Sequence, residues 1–407
     1  MRPPTAIPLA IFGAILLAAC APAYADPAVE RPTPSSTDVP ALVAGINDAG
    51  LRLYLAAREE GQNTAVSPVS IGLAFGMADA GATGGVERAI SGFFGYPAEG
   101  EDRFAAFNAL DQSLQSDDDG EVLRIANRLF TDTAFTPKEE YRRTLATYFG
   151  AGAEPAPLAT DPKAAARQIN GWIGDRTNGL IKDLVKPEMF SDASRVMLAN
   201  TVYMKADWDQ PFESEATGDA TFTGLDGSTA TIQMMHQPGA YGEFATGDGW
   251  VAATKAYLDG GTEMLIVLPD EGRFEDVEDD LQAVLNEVDQ NLEQTSYRLE
   301  LPKFTVASTT DLREVIEQRL GVTGMFGVVG LDGIGKDLYI DNAAHGVKVI
   351  VDEKGTEAAA ATVIGVEEAS AIVATNELIA DHPFLYVVRD TETGAILFVG
   401  RVLDAAA

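Results

Sequence analysis

Cysteine is almost absent: Cys20 is the only one in the chain, so no disulfide can close within it. Histidine is nearly as scarce, with His236, His345 and His382 making up the full set of 3. None stands in an H-E-x-x-H pair, and the lone cysteine lies at the N-terminal end, so no metal site is expected. Basic residues are the next shortage, 29 against 62 acidic ones, for a net charge of −33. That balance argues against nucleic acid or an anionic membrane surface as an electrostatic partner. It describes a soluble, self-repelling chain, expected to act as a monomer. Two enzymatic loops are missing as well: there is no G-x-S-x-G elbow and no G-x-x-x-x-G-K-[ST] phosphate loop.

Long apolar runs are also lacking. The run Ile7–Leu17 is too short to span a bilayer, but behind Arg2 it suits the apolar region of a secretion signal. Leu17-Ala18-Ala19-Cys20 resembles the lipobox of bacterial lipoproteins, in which the cysteine is acylated and becomes the new N-terminus. Cleavage after Ala25, at Ala23-Tyr24-Ala25, is the rival reading, because it also satisfies the small-x-small rule. Residues 1–20 are accordingly read as a lipoprotein-type signal peptide. Residues 21–40, rich in proline, serine and alanine, are read as a tether. The expected location is the cell envelope, periplasmic or surface-bound, or else the extracellular medium. Membrane contact is expected only through the lipid.

What is there is a chain with 46% hydrophobic residues, enough to bury a large core. Leu42, Ile46, Leu51, Leu53 and Leu55 mark an amphipathic helix ending near Gly61. Ser67-Pro68 opens an apolar helix through Met77, with proline where its missing N–H costs little. A further helical region runs to about Phe94, a strand is expected over 122–130, and a helix over 162–184. From about 194 the pattern turns to strands, at 195–204, 219–223, 230–235, 251–257, 263–268, 296–306 and 347–351, with helices at 274–288 and 309–320. Helices first and many strands later argue for an α+β domain built on large sheets. No linker interrupts residues 41–404, so 41–407 is read as one domain.

Chemistry is harder to find. Gly330-Leu-Asp-Gly333-Ile-Gly335 is glycine-rich but does not sit between a strand and a helix of a βαβ unit. With 62 acidic residues, carboxylate pairs arise by chance and carry no glycosidase argument. No nucleophile–base constellation rises above background, so no enzyme is expected, no catalytic residue is assigned, and no cofactor is called for.

Residues 353–381, EKGTEAAAATVIGVEEASAIVATNELIAD, are the odd stretch. They are mostly small from Gly355 to Ala361, β-branched and apolar from Thr362 to Val366, and free of aromatics. No Lys or Arg falls between Lys354 and Arg389. The surrounding motifs explain them. Ser67-Pro-Val-Ser-Ile71, Asn127-Arg-Leu-Phe130, Gln168-Ile-Asn170, Asn178-Gly-Leu-Ile-Lys-Asp-Leu184 and Ala199-Asn200-Thr-Val-Tyr203 come first. Trp208-Asp-Gln-Pro-Phe212, Met234-Met235, Leu268-Pro-Asp-Glu271, Leu301-Pro-Lys-Phe304, Val351-Asp-Glu-Lys-Gly-Thr-Glu357, His382-Pro-Phe384 and Ile396-Leu-Phe-Val-Gly-Arg-Val402 follow. In this order and at these spacings the chain resembles the serpin family from about residue 42 to 403.

The resemblance implies helices packed around three β-sheets with an exposed reactive loop over about 353–381. It implies an inhibitor of serine proteases that acts once, as a suicide substrate. The loop is cleaved, the protease is caught as an acyl-enzyme in a covalent complex, and the N-terminal part of the loop enters the main sheet as a new strand. The hinge of that movement would comprise Glu353, Gly355, Thr356, Glu357, Ala358, Ala359, Ala360 and Ala361. By the period of 2 in a strand, Thr356, Ala358, Ala360, Thr362, Ile364 and Val366 would face the core. That set holds no charge and no ring, while the opposite set sends Glu357 and Glu367 out to solvent. About ten new backbone hydrogen bonds at a net ~1 kcal/mol each would release on the order of 10 kcal/mol.

Counting forward from the hinge puts the scissile bond at Ala369–Ser370. Counting back from Pro383-Phe384 favours Ile372, and Ala371 and Val373 stay open. Small aliphatic candidates suit elastase-like or subtilisin-like targets, not trypsin-like ones, and Glu367 and Glu368 keep a glutamyl-specific protease as a minor option. The resemblance also assigns Ser67, Ser70, Asn200 and His345 to a hydrogen-bond cluster, the shutter, where the sheet opens. Trp208 falls at the breach, where insertion begins. Gly346, following His345, departs from the family, which has a larger residue there. A non-inhibitory member acting as a binding or structural protein is the alternative.

Overall fold

A computed structural model describes residues 29–97, 100–118, 121–258, 260–356 and 376–406. Its helices are α1 (Val39–Ala57), α2 (Pro68–Asp79), α3 (Gly84–Phe94), α4 (Glu101–Leu114), α5 (Glu139–Phe149), α6 (Pro162–Arg176), α7 (Phe274–Asp279) and α8 (Leu281–Asn291). The strands in the first half are β1 (Thr64–Val66), β2 (Ser116–Asp118), β3 (Glu121–Asp132), β4 (Ala153–Ala156), β5 (Val196–Asp207) and β6 (Gly218–Thr223). They continue with β7 (Thr229–Gly247), β8 (Trp250–Ala256), β9 (Thr262–Pro269), β10 (Glu293–Pro302), β11 (Phe304–Asp311) and β12 (Asn342–Val351). The last are β13 (Gly355–Thr356), β14 (Asn376–Ile379), β15 (Phe384–Asp390) and β16 (Ile396–Val402).

Among the described residues these strands form two hydrogen-bonded sheets. The smaller runs β11-β12-β13-β5-β3-β2, with β4 also on β3. The larger runs β1-β16-β15-β9-β8-β7-β10-β14, with β6 also on β7. Two of the three expected layers are continuous because β7 is long enough to pair with β6 and β10 along one part and with β8 along another.

Helix α2 lies at the centre. Every residue from Pro68 to Asp79 is buried, so the helix is apolar all round, as a core helix must be. The Ser67 side chain caps it by accepting from the Ser70 N–H. A second, smaller cluster sits on the other face of the smaller sheet. There Ile169 and Ile173 of α6, with Ile181, Leu184 and Val185 after it, cover Met197, Ala199 and Ala344.

Several sequence expectations need correction. The helix expected over 162–184 stops at Arg176, because Asn178 and Gly179 take positive φ (47° and 75°) and turn the chain. The strand expected over 296–306 is two: β10 ends at Pro302, Lys303 is the break, and β11 joins the other sheet. The helix expected over 309–320 begins later, since β11 runs to Asp311 and a short helix at Leu312–Glu314 passes into a π turn. Helix α1 takes in Val39 and Pro40, read as tether, and Arg31 of that segment is bonded to the body. Its Nη1 lies 2.6 Å from Oδ2 of Asp111, and Nε and Nη2 donate to Asn108 Oδ1 and the Tyr148 carbonyl. The signal peptide, Cys20 and residues 21–28 lie outside the described residues.

Candidate functional site

Strands β5 and β12 pair directly, and in parallel, only along their lower halves, Asn342–Gly346 against Met197–Thr201. Above that they part. At the top, two residues stand between them: Thr356 is antiparallel to both, opposite Val351 of β12 and Ala206 of β5, with Gly355 opposite Asp207. The smaller sheet is therefore closed at one end and held open at the other by the start of the odd stretch.

Local chemistry fixes that entry. The Asp352 carboxylate accepts from the N–H of Lys354 at 2.9 Å and of Gly355 at 3.3 Å, folding residues 352–355 into a tight turn. Gly355 is required by space, because a Cβ there would meet the Ala206 carbonyl oxygen at 2.0 Å. Trp208 grips the turn twice, its backbone N–H donating to the Lys354 carbonyl (2.7 Å) and its indole N–H to the Asp352 carbonyl (3.0 Å). The Phe212 N–H adds a bond to the Glu353 carbonyl. The Glu353 side chain is 2.9 Å from the Lys303 ammonium. Partial burial works against its charge, but Lys303 and backbone donors hold the carboxyl below its ordinary value.

Behind Trp208 the ring of Tyr257 stacks at 4.3 Å, and its phenol oxygen lies 2.6 Å from the Thr356 hydroxyl. Lys255, buried, reaches the same place with its ammonium 5.3 Å from the Trp208 ring and 4.3 Å from the Phe212 ring. Its hydrogen bonds go to the Gln210 carbonyl and Gln237 Oε1, both uncharged. Burial pulls its pKa down to about 7, which the Asp209 carboxylate only partly offsets.

The residues assigned to the shutter come together at the fork where β5 and β12 begin to pair. His345 Nε2 accepts from the Ser67 N–H at 3.0 Å, so its proton is on Nδ1, which faces Asn200 Oδ1 at 2.5 Å. The Asn200 amide donates in turn to the Ser70 carbonyl and to Asn127 Oδ1. With both ring nitrogens used and no counter-charge, burial lowers the His345 pKa to about 3, and the ring is neutral. This is a hydrogen-bond cluster in which the ring meets the Ser67 backbone and the Asn200 amide, while the Ser67 hydroxyl caps α2 and the Ser70 hydroxyl bonds Asn200.

Of the other assigned residues, Glu353, Gly355 and Thr356 line the entry and Trp208 roofs it. Glu357, Ala358, Ala359, Ala360 and Ala361, and the bond candidates Ala369, Ser370, Ala371, Ile372 and Val373, lie outside the described residues. Gly346 has a local reason: a Cβ there would come within 3.1–3.3 Å of Leu184 and Ile181, the segment folded down behind α6. Nothing in the sequence pointed to Tyr257 and Lys255 at the entry, and Lys303 at the entry and Asn127 in the shutter were left without a role although both stand in the motifs quoted above. Among the described residues no His/Cys/Asp/Glu group could hold a metal ion.

Comparison with known proteins identifies this architecture. The family model "Serpin (serine protease inhibitor)" matches residues 44–405. Mouse (Mus musculus) neuroserpin is 33% identical over 365 residues, 86% of this chain and 88% of its own length. An uncharacterized serpin-like protein of Thermococcus kodakarensis is 33% identical over 369 residues, covering 89% of this chain and 85% of that one. The leukocyte elastase inhibitor of Bos taurus is 30% identical over 376 residues, 86% of this chain and 96% of that protein. Among solved structures, Serpin48 of the insect Tenebrio molitor superposes with a TM-score of 0.80 at 26% identity, over 92% of this chain and all of that one. Members of the family are generally protease inhibitors rather than enzymes, and the inhibitors generally form covalent complexes with their target proteases. An open-topped sheet gripped by a tryptophan, a neutral buried histidine at the fork and a match over nearly the whole chain lead to one conclusion: the chain belongs to the serpin family.

Proposed function

We propose that the protein is an inhibitory serpin, a suicide substrate cleaved near Ala369–Ser370 that traps the acyl-enzyme by inserting its reactive loop into the smaller sheet. The observation that carries this reading is Thr356 already seated between β12 and β5, in register with both and buried. A strand continuing from it inherits a prepared cleft. The absence of Lys and Arg between 354 and 389 favours elastase-like or subtilisin-like targets. The likeness to leukocyte elastase inhibitor agrees with that choice. Mixing the protein with pancreatic elastase and with a subtilisin should give a complex that survives SDS. Loop cleavage with the protease left active, across several such enzymes, overturns the reading in favour of a non-inhibitory role.

We further propose that the protein is exported and lipid-anchored through Cys20. Replacing Cys20 by Ala should abolish acyl labelling and release the protein, and labelling that persists refutes the anchor.

A further inference from the structure

The outer edge of β3 is covered in two pieces with a gap between them. Strand β2 pairs with it from Glu121 to Leu123, and β4 takes over only at Leu129. Among the described residues no strand lies against that edge along 124–128. A cavity of about 240 Å³ opens there, walled by the end of α4, the turn after α5 and the last turns of α6.

The walls of this cavity reverse the character of the chain. They hold three arginines, Arg31, Arg128 and Arg176, against one carboxylate, Asp111. In the whole sequence acidic residues outnumber basic ones, 62 to 29. Asp111 is already engaged, its Oδ2 taking Arg31 Nη1 at 2.6 Å and its Oδ1 the Gln115 amide at 3.1 Å. Gly150 leaves the space that Arg31 fills, since a Cβ there would meet its Nη1 at 2.5 Å.

The other donors come from β3 and α6. Arg128 lies 5.9 Å from the centre of the Trp172 ring and 3.7 Å from Glu154, which also accepts from Gln168 at 2.8 Å. The Trp172 indole N–H is buried and has no acceptor among the described residues. Arg176, the last residue of α6, is exposed and forms no ion pair among the described residues. A buried donor left unpaired costs free energy, and an acceptor within its reach would recover it. A guanidinium presents a planar fork that fits the paired oxygens of a phosphate or a carboxylate.

We propose that this cavity binds a small multivalent oxyanion, a phosphate or a polycarboxylate, with Arg128 and Arg176 taking its charge and Trp172 donating to it. Binding there does not depend on whether the reactive loop inserts. Arg31 closes one wall through Asn108 and the Tyr148 carbonyl, so the site is complete only with the segment before α1 in place. The cavity also adjoins the fork of the sheet. Asn127 lines it and accepts, through Oδ1 at 2.5 Å, from the Asn200 amide that meets His345. A bound anion would tie α6 to β3 beside the residues that hold the sheet closed.

The test is calorimetric titration of the full chain in chloride buffer at matched ionic strength, with inorganic phosphate and with citrate as probes. Saturable binding is expected: of phosphate alone for a phosphoryl site, of citrate alone for a polycarboxylate site, of both for a site that takes either. Arg176→Ala should weaken binding about tenfold or more, and Trp172→Phe, which keeps a ring and loses the N–H, about fivefold. Lys348→Ala, which removes a base on β12, across β5 from the cavity, should bind as the wild type does. Urea midpoints without probe check that each variant folds, and if Trp172→Phe does not, Arg176→Ala at its exposed helix end decides alone. No saturable heat with either probe refutes the site. Equal affinity in wild type and Arg176→Ala refutes it too, as does a loss in Lys348→Ala as large as in Arg176→Ala.

Discussion

The hydroxyl of Thr356 lies 2.6 Å from the phenol oxygen of Tyr257, with both residues buried beneath Trp208. That contact means the first residue of the proposed inserting strand is already a core residue. Replacing Thr356 by Arg would force an unpaired charge into this pocket, at a cost of several kcal/mol. The expected outcome is conversion of inhibitor to substrate, with stoichiometry against elastase rising about tenfold or more. Unchanged inhibition would refute insertion from this residue.

Gly355 tests the entry from the backbone side. Adding one methyl at Gly355→Ala brings carbon to 2.0 Å from the Ala206 carbonyl, so β13 must leave its place. Overpacking of this kind typically costs about 1–3 kcal/mol. Urea unfolding of the intact protein should show a loss of that size, and amide exchange at Gly355 and Thr356 should speed up. If both stay at wild-type values, the close approach is not what holds the entry.

Acid should weaken the protein through His345. Its folded pKa, about 3, lies below the unfolded value of about 6.5, so between those limits the unfolded chain binds more protons. Stability therefore falls as pH drops from about 6.5 towards 3. In His345→Gln, which has no titrating ring, the slope of stability against pH across this window should be shallower by up to about 1.4 kcal/mol per unit. Parallel curves for the two proteins would show that the ring is charged in the fold or that its site opens to water.

Lys255 acts at the other end of the scale. Its folded pKa, about 7, is below the unfolded value of about 10.5, so again the unfolded form binds more protons in between. Stability should rise with pH from 7 towards 10.5, with this group contributing nothing further below 7. Measured between pH 7 and 9, the rise should be lost in Lys255→Met, which keeps the length of the side chain without the amine. A variant with the wild-type slope would place the origin elsewhere.

The parts of the fold written in local chemistry were readable. Ser67-Pro68 announced α2 because a capping hydroxyl and a first-turn proline are sufficient signals in themselves. The inward set beginning at Thr356 came from alternation applied to the inserting strand that the resemblance implies; of that set only Thr356 lies among the described residues, and it is buried. The end of α6 was misplaced: Asn178-Gly179 is a turn signal, but the continuing apolar spacing at Leu180 masked it. The break at Lys303 was overlooked: Pro302 is a strand-breaking signal, but apolar alternation through Leu299 and Leu301 and then Phe304 and Val306 reads as one strand although the chain changes sheets there. Tyr257 and Lys255 could not have been found from their neighbours. Their role comes from stacking against Trp208, some fifty positions away, and a lysine buried on uncharged partners contradicts what its sequence suggests.

The direct rungs between Asn342–Gly346 and Met197–Thr201 hold the lower half of the sheet shut. On the insertion reading, the working fold lies uphill of a better-bonded arrangement of the same chain, and these rungs are what delay the descent. Its usefulness is then a lifetime rather than a depth in free energy. Substitutions that loosen the closed half should quicken capture of a protease and shorten the protein's time in storage together. Substitutions that tighten it should lengthen storage and slow capture.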